Sequence, residues 1–201
     1  FLQPDRVRYP FAEQERLAFT ETMLPSRDGT KLASWYFSAS ENAKVRPDLV
    51  KRRFENPKGL VVQFHGNAEN MSSHFRFNAW LVFQGYDLLT FDYRGYGSSE
   101  GVKDIDGAYQ DVVAMLKHAE KLAQETGVPL ILRGESLGGS LLLRALQEYH
   151  PQGLKMIVIE SAFWGYRQIA REKLAGVWLT WPLQWLGYVL VSDRYRPGGE
   201  G

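Results

Sequence analysis

The sequence predicts an α/β fold: a mainly parallel sheet flanked by helices and opening with an antiparallel hairpin. Three observations carry this reading. Short, nearly continuous apolar runs recur at residues 59–64, 86–91, 129–132 and 154–159, the pattern of strands buried on both faces. Segments of helical periodicity lie between them, and alternating strand and helix implies right-handed crossovers within one sheet. Before this series, Asp28-Gly29 joins two apolar runs, and Asp-Gly in that position is a strong hairpin signal.

Taken in order, residues 17–24 and 30–37 form the hairpin. Residues 38–58 turn polar and basic (Lys44, Arg46, Lys51, Arg52, Arg53, Lys58), which reads as a solvated surface excursion with room for a short helix. Helices are predicted over 71–83, over 105–125, where Val112, Val113, Leu116 and Leu122 make an apolar stripe, and over 137–149. Gly85 and Gly127 stand where C-terminal helix caps belong. The whole of 1–201 reads as a single domain. Within it, residues 163–191 concentrate Trp178, Trp181 and Trp185 among leucines, and three readings compete for them: packing against further chain, a lid over an apolar pocket, or contact with a membrane interface.

Composition narrows the function. With 44% hydrophobic and 23% charged residues the chain folds as an ordinary globular protein, and a net charge of +1 argues against a phosphate-neutralising, nucleic-acid-binding surface. The absence of cysteine removes disulfides, thiolate metal sites and cysteine nucleophiles, and leaves the compartment open. The chain starts at Phe1 rather than Met, so an exported or membrane-anchored protein that has lost its signal or anchor is one expectation for its location. Oligomeric state is not legible.

In an α/β sheet of this kind, chemistry belongs just after the strands. After the third core strand comes Gly134-Glu135-Ser136-Leu137-Gly138, a G-x-S-x-G pattern that chance supplies about 0.1 times in a chain of this composition. Its position between a predicted strand and a predicted helix adds much more, because the pattern lifts a nucleophilic serine above a sheet only at such a turn. After the first core strand comes His65-Gly66-Asn67-Ala68. A serine nucleophile at such a turn needs two backbone N–H donors for the oxyanion of its intermediate, one directly after it and one from the loop after the first core strand, and these are assigned to Leu137 and Asn67. His65 and Gly66 read as residues that shape this loop. In Asp92-Tyr93-Arg94-Gly95-Tyr96-Gly97-Ser98, Arg94 reads as scaffold paired with acidic neighbours, and Glu135 sits beside the nucleophile with no role that follows from the sequence.

Together, residues from about 20 to 163 resemble the α/β-hydrolase superfamily, and within it the HGN-type serine hydrolases with esterase- and thioesterase-like members. The resemblance implies hydrolysis of a carboxylic ester or thioester, small or lipid-like, through an acyl-enzyme on Ser136, with no metal or organic cofactor and with peripheral membrane contact as an accompanying property. It also exposes a gap. The superfamily order is serine, then acid, then histidine. His150, the histidine that follows Ser136, lies fourteen residues along a predicted helix, roughly 20 Å away at 1.5 Å per residue. Glu160 and Asp193 are the acid candidates, but no histidine is placed to meet them. The family pattern is therefore incomplete at the C-terminus, and three readings stand: a parent protein that continues past Gly201, a naturally short binding protein without catalysis, or a base supplied by His65, His74 or another chain.

Overall fold

The computed structural model describes residues 2–49, 56–163 and 165–176, together with 180, 183–186 and 189. Trp178, Trp181, Asp193 and the basic residues Lys51, Arg52 and Arg53 lie outside the described residues.

A two-residue strand β1 (Gln3–Pro4) and a one-turn helix α1 (Phe11–Gln14) precede the hairpin of β2 (Thr20–Pro25) and β3 (Lys31–Phe37). Helix α2 (Ala39–Val45) follows, capped by the Ser38 hydroxyl, which accepts from the Glu41 N–H. Next come β4 (Leu60–Phe64), β5 (Ala68–Glu69), the helix pair α3 (Met71–His74) and α4 (Arg76–Phe83), and β6 (Asp87–Phe91). The long helix α5 (Ile105–Thr126) leads to β7 (Leu130–Glu135), α6 (Leu137–Glu148), β8 (Leu154–Glu160) and α7 (Tyr166–Ala175). Both ends of α5 are capped, the C-terminal one at the glycine the sequence marks. The Asp104 carboxylate accepts the Gly107 N–H at 2.7 Å, and Gly127 closes the helix at φ +69°, a left-handed conformation open to glycine at no steric cost.

The sheet runs in the order β2-β3-β6-β4-β7-β8. The hairpin is antiparallel, β3 joins β6 antiparallel, and β6, β4, β7 and β8 are parallel. The predicted α/β class, with its parallel core and opening hairpin, is the observed one. Period-two alternation divides the core. Leu60, Val62 and Phe64 of β4 face α5 and α6, where Val112, Met115, Leu116, Leu141 and Leu142 are buried. Val61 and Leu88 face the other way, onto Trp35, Phe37, Phe75, Ala79 and Val82.

Two expectations need correction. The helix predicted over 71–83 is broken at Phe75, whose fully buried ring stacks on Phe37 at 5.2 Å; the chain tightens there, with the Asn78 N–H donating to the Phe75 carbonyl at 2.8 Å. Among the described residues the run at 154–159 is not buried on both faces: β8 lies at the edge of the described sheet, with Met156, Ile157 and Val158 exposed.

Arg94, just after β6, ties the hairpin turn to α5. Its guanidinium donates to Asp111 at 2.7 Å and to Asp28 at 2.9 Å, and Asp111 also accepts from the Arg94 N–H and, at 2.6 Å, from the Ser26 hydroxyl. The hydrogen bond from Arg94, helped by the Thr30 backbone, holds the Asp28 carboxyl down at about 2. Its stabilising share is therefore complete above the ordinary carboxylate range and lost as the pH falls towards 2.

Asp111 is fully buried, whereas the Asp28 side chain is 43% exposed. Asp111→Ala, which strands a buried guanidinium, is expected to cost about 3–5 kcal/mol in urea denaturation at neutral pH. Asp28→Ala is expected to cost under about 1 kcal/mol.

Candidate active site

Strand order changes direction at β4: the connection leaving it goes to β6 on one side, and β7 is added on the other. Such a switch point opens a crevice at the carboxyl ends of the two strands. Because Phe64 is in register with Gly134, the His65-Gly66-Asn67 loop and the Glu135-Ser136-Leu137 turn leave the sheet side by side.

Ser136 has φ +49° and ψ −114°, a conformation costing a non-glycine residue about 1–3 kcal/mol. The surroundings hold it there. A Cβ on Gly138 would lie 2.2 Å from the Phe64 carbonyl oxygen, and one on Gly134 would lie 2.6 Å from the Gly139 Cα, so α6 sits directly on the ends of β4 and β7 with no side chain between. The Ser136 N–H donates to the Glu160 carbonyl at 2.8 Å, and the Ser140 hydroxyl donates to the Phe163 carbonyl at 2.8 Å. Leu137 opens α6, and the first N–H groups of a helix have no partner within it, so the positive end of α6 lies at the turn.

Across the crevice His65 is wholly buried. Its Nδ1 donates to the Gly66 carbonyl at 2.8 Å, Nε2 lies 3.3 Å from Asp92 Oδ1, and the ring packs on Tyr93 at 4.5 Å between centroids. Asp92 in turn accepts the Met71 N–H at 2.6 Å, so one carboxylate joins the loop after β6 to the start of α3. The Asn67 side chain faces away from the crevice and accepts from Tyr96 Oη at 2.9 Å and from the Gln3 N–H at 3.1 Å. Gly66 lies between the two halves: a Cβ there would be 3.4 Å from His74 Cε1 and 3.8 Å from Ser136 Cβ.

The structure thus brings Ser136, Leu137, Glu135, His65, Gly66 and Asn67 together. Arg94 lies apart from them in its network with Asp111, and Glu160 is paired with Arg133 at 2.6 Å. None of the four histidines offers a ring nitrogen to Ser136. Those of His65 and His74 face other acceptors, His118 donates to the Pro25 carbonyl, and His150 lies beyond the far end of α6. Three features escaped the sequence reading. His74 pairs with Glu135 (Nδ1 to Oε2, 3.5 Å), β1 adds in parallel to β5 beside the loop, and Asn70 caps α3 while donating to the Val7 carbonyl at 2.8 Å. Of these only Asn70 carried a signal, as a capping residue directly before a helix.

Among the described residues no group of histidine, cysteine or acidic side chains is arranged to hold a metal ion, and no helix is long and apolar enough to cross a membrane.

Comparison with known proteins places these features in a wider group. The family model described as "Serine aminopeptidase, S33" matches residues 55–197. The uncharacterized protein YfhR of Salmonella typhi is 34% identical over 206 residues, covering 97% of this chain and 62% of the relative, so the chain spans about three-fifths of that protein's length. The lysophosphatidylserine lipase ABHD12 of Danio rerio is 28% identical over 158 residues, covering 74% of this chain and 41% of the relative. Among solved structures, the Pyrococcus furiosus esterase Pf2001 superposes with a TM-score of 0.66 at 19% identity, over 97% of this chain and 70% of that one. That likeness shows the fold.

The close approach of α6 to β4 leaves no room for a methyl group. Gly138→Ala is expected to lower stability by about 3 kcal/mol in urea denaturation, at the upper end for overpacking because the obstacle is backbone.

Proposed function

The chain belongs to the serine aminopeptidase S33 family of α/β hydrolases, and from that premise we propose that it carries the nucleophile half of a serine hydrolase that cleaves a carboxylic ester or thioester through an acyl-enzyme on Ser136. The observation that carries this reading is the backbone of Ser136, held at φ +49° between β7 and α6 against the loop that follows β4. Strain of this kind persists where the surrounding structure over-determines it, and it clusters at reacting residues.

In the proposed reaction Ser136 Oγ attacks the acyl carbonyl and its proton passes to a histidine base. The N–H groups of Leu137 and Asn67 receive the oxyanion; collapse expels the alcohol or thiol, which takes the proton, and water then releases the acid. One such donor contributes on the order of 10²–10³ in rate. The base would come from outside these 201 residues, in keeping with their spanning 62% of the Salmonella YfhR length. His65 and Gly66 would shape the oxyanion loop, and Arg94 would brace the scaffold.

The substrate class we propose is a small or lipid-like acyl ester. Support comes from relatives named as a lysophosphatidylserine lipase and a monoglyceride lipase, and from exposed Leu183, Trp185 and Val189 in the segment 163–191, which would act as a lid or meet a lipid surface.

The test is turnover of p-nitrophenyl esters by the intact protein, with covalent labelling by a fluorophosphonate. Ser136→Ala is expected to abolish labelling and to lower kcat by at least about 10⁴-fold. A folded intact protein that neither labels nor turns over esters would overturn the reading in favour of a binding protein, and faster cleavage of aminoacyl anilides than of esters would overturn the substrate class. The 201 residues alone are expected to show little turnover, because their histidines do not reach Ser136.

A further inference from the structure

We propose that His74 and Glu135 are positioning residues that clamp the His65-Gly66-Asn67 loop to the nucleophile turn, holding the Asn67 amide at the distance from Ser136 that oxyanion binding needs. The inference rests on Ser136 being the nucleophile.

The geometry is a bridge. His74 Nε2 lies 2.9 Å from the Ala68 carbonyl oxygen, at the far end of the loop, while Nδ1 lies 3.5 Å from Glu135 Oε2, on the residue directly before Ser136. The ring stacks on His65 at 5.3 Å between centroids and meets the edge of Phe77 at 5.8 Å. The backbone of His74 is itself fixed, since its carbonyl accepts the Gln63 amide at 2.8 Å from inside β4. A Cβ added at Gly66 would meet both the His74 ring, at 3.4 Å, and Ser136 Cβ, at 3.8 Å, so the ring and the nucleophile turn border the same side of the loop.

The protonation state follows from the partners. A carbonyl oxygen only accepts, so Nε2 must carry hydrogen. A neutral ring would then aim the Nδ1 lone pair at a carboxylate, whereas a protonated ring turns that contact into an ion pair. Burial disfavours charge on His74, but the interaction of its ring with the accepting Glu135 carboxylate, the Ala68 carbonyl and the charges of Glu135 and Glu69 outweigh it and raise its pKa. The Glu135 carboxyl is correspondingly lowered, chiefly by His74 against the effect of burial, with Arg133 and His65 assisting. Asp92 faces the His65 ring from the other side. The sign is fixed: the clamp is charged below the raised pKa of His74 and loosens as the pH rises through it.

The inference also gives His74 a role other than general base. Its Nε2 is hydrogen-bonded to the Ala68 carbonyl and its Nδ1 faces the Glu135 carboxylate across 3.5 Å, so the ring orders the oxyanion loop and takes no proton from Ser136.

The experiment measures kcat, KM and their pH dependence for p-nitrophenyl ester hydrolysis by the intact protein, with melting temperature alongside. In wild type kcat is expected to decline on an alkaline limb as His74 deprotonates. His74→Gln keeps a donor for Ala68 without the charge; its kcat should fall about 10-fold at neutral pH with KM within twofold, and the alkaline limb should vanish. Glu135→Gln should keep the limb but move it down by about 1 pH unit. A loss of kcat that tracks melting temperature, with the limb unmoved in both variants, would overturn the inference, as would variants indistinguishable from wild type. A wild-type protein without turnover would overturn the nucleophile assignment, and this inference with it.

Discussion

The site depends on the absence of side chains where α6 meets the sheet. Gly138 lets the first turn of α6 rest on the carbonyl of Phe64, and Gly134 lets the end of β7 pass beneath Gly139. This contact sets the height of Ser136 above the sheet, forces its backbone into the left-handed region and brings the turn against the loop after β4. The cost of the strained residue, about 1–3 kcal/mol, is offset by the core beneath it, where Leu60, Val62 and Phe64 of β4 and Leu130 and Leu132 of β7 are buried with residues of α5 and α6. A side chain at either glycine would separate the elements that define the crevice.

Around this contact the loops are tied by charged and polar groups placed where strands end. Asp92 sits beside His65 and accepts from Met71, while Arg94, two residues on, reaches back to Asp111 and Asp28. One short loop after β6 therefore braces both the HGN loop and the hairpin turn. The strand pair β1 and β5 holds the other side of the HGN loop, through Gln3 and Asn67. Rigid loops on a rigid sheet are what a reaction needs when its donors must be in place before charge develops.

Much of this was legible in the sequence because the signals were local. The apolar runs at 59–64 and 86–91 are buried strands, Asp28-Gly29 is a hairpin turn, Gly127 caps α5, and the G-x-S-x-G segment lies at the junction of a strand and a helix. What the sequence did not reveal depends on tertiary partners. The break at Phe75 follows from an aromatic ring that must pack on Phe37, a residue of another element. The exposure of β8 follows from its place at the edge of the described sheet, which an apolar run cannot report. His74 and Glu135 are sixty-one residues apart and meet because β4 and β7 are neighbours, and nothing in either segment announces that pairing.

The proposal that Ser136 and the loop at Asn67 form one acyl-transfer site can be tested on an adduct. The most direct measurement is a crystal structure of the intact protein after reaction with a fluorophosphonate. The expected result is phosphorus bonded to Ser136 Oγ and the phosphoryl oxygen about 2.7–3.1 Å from the amide nitrogens of both Leu137 and Asn67. An adduct on another residue, or a phosphoryl oxygen turned away from those amides, would contradict it.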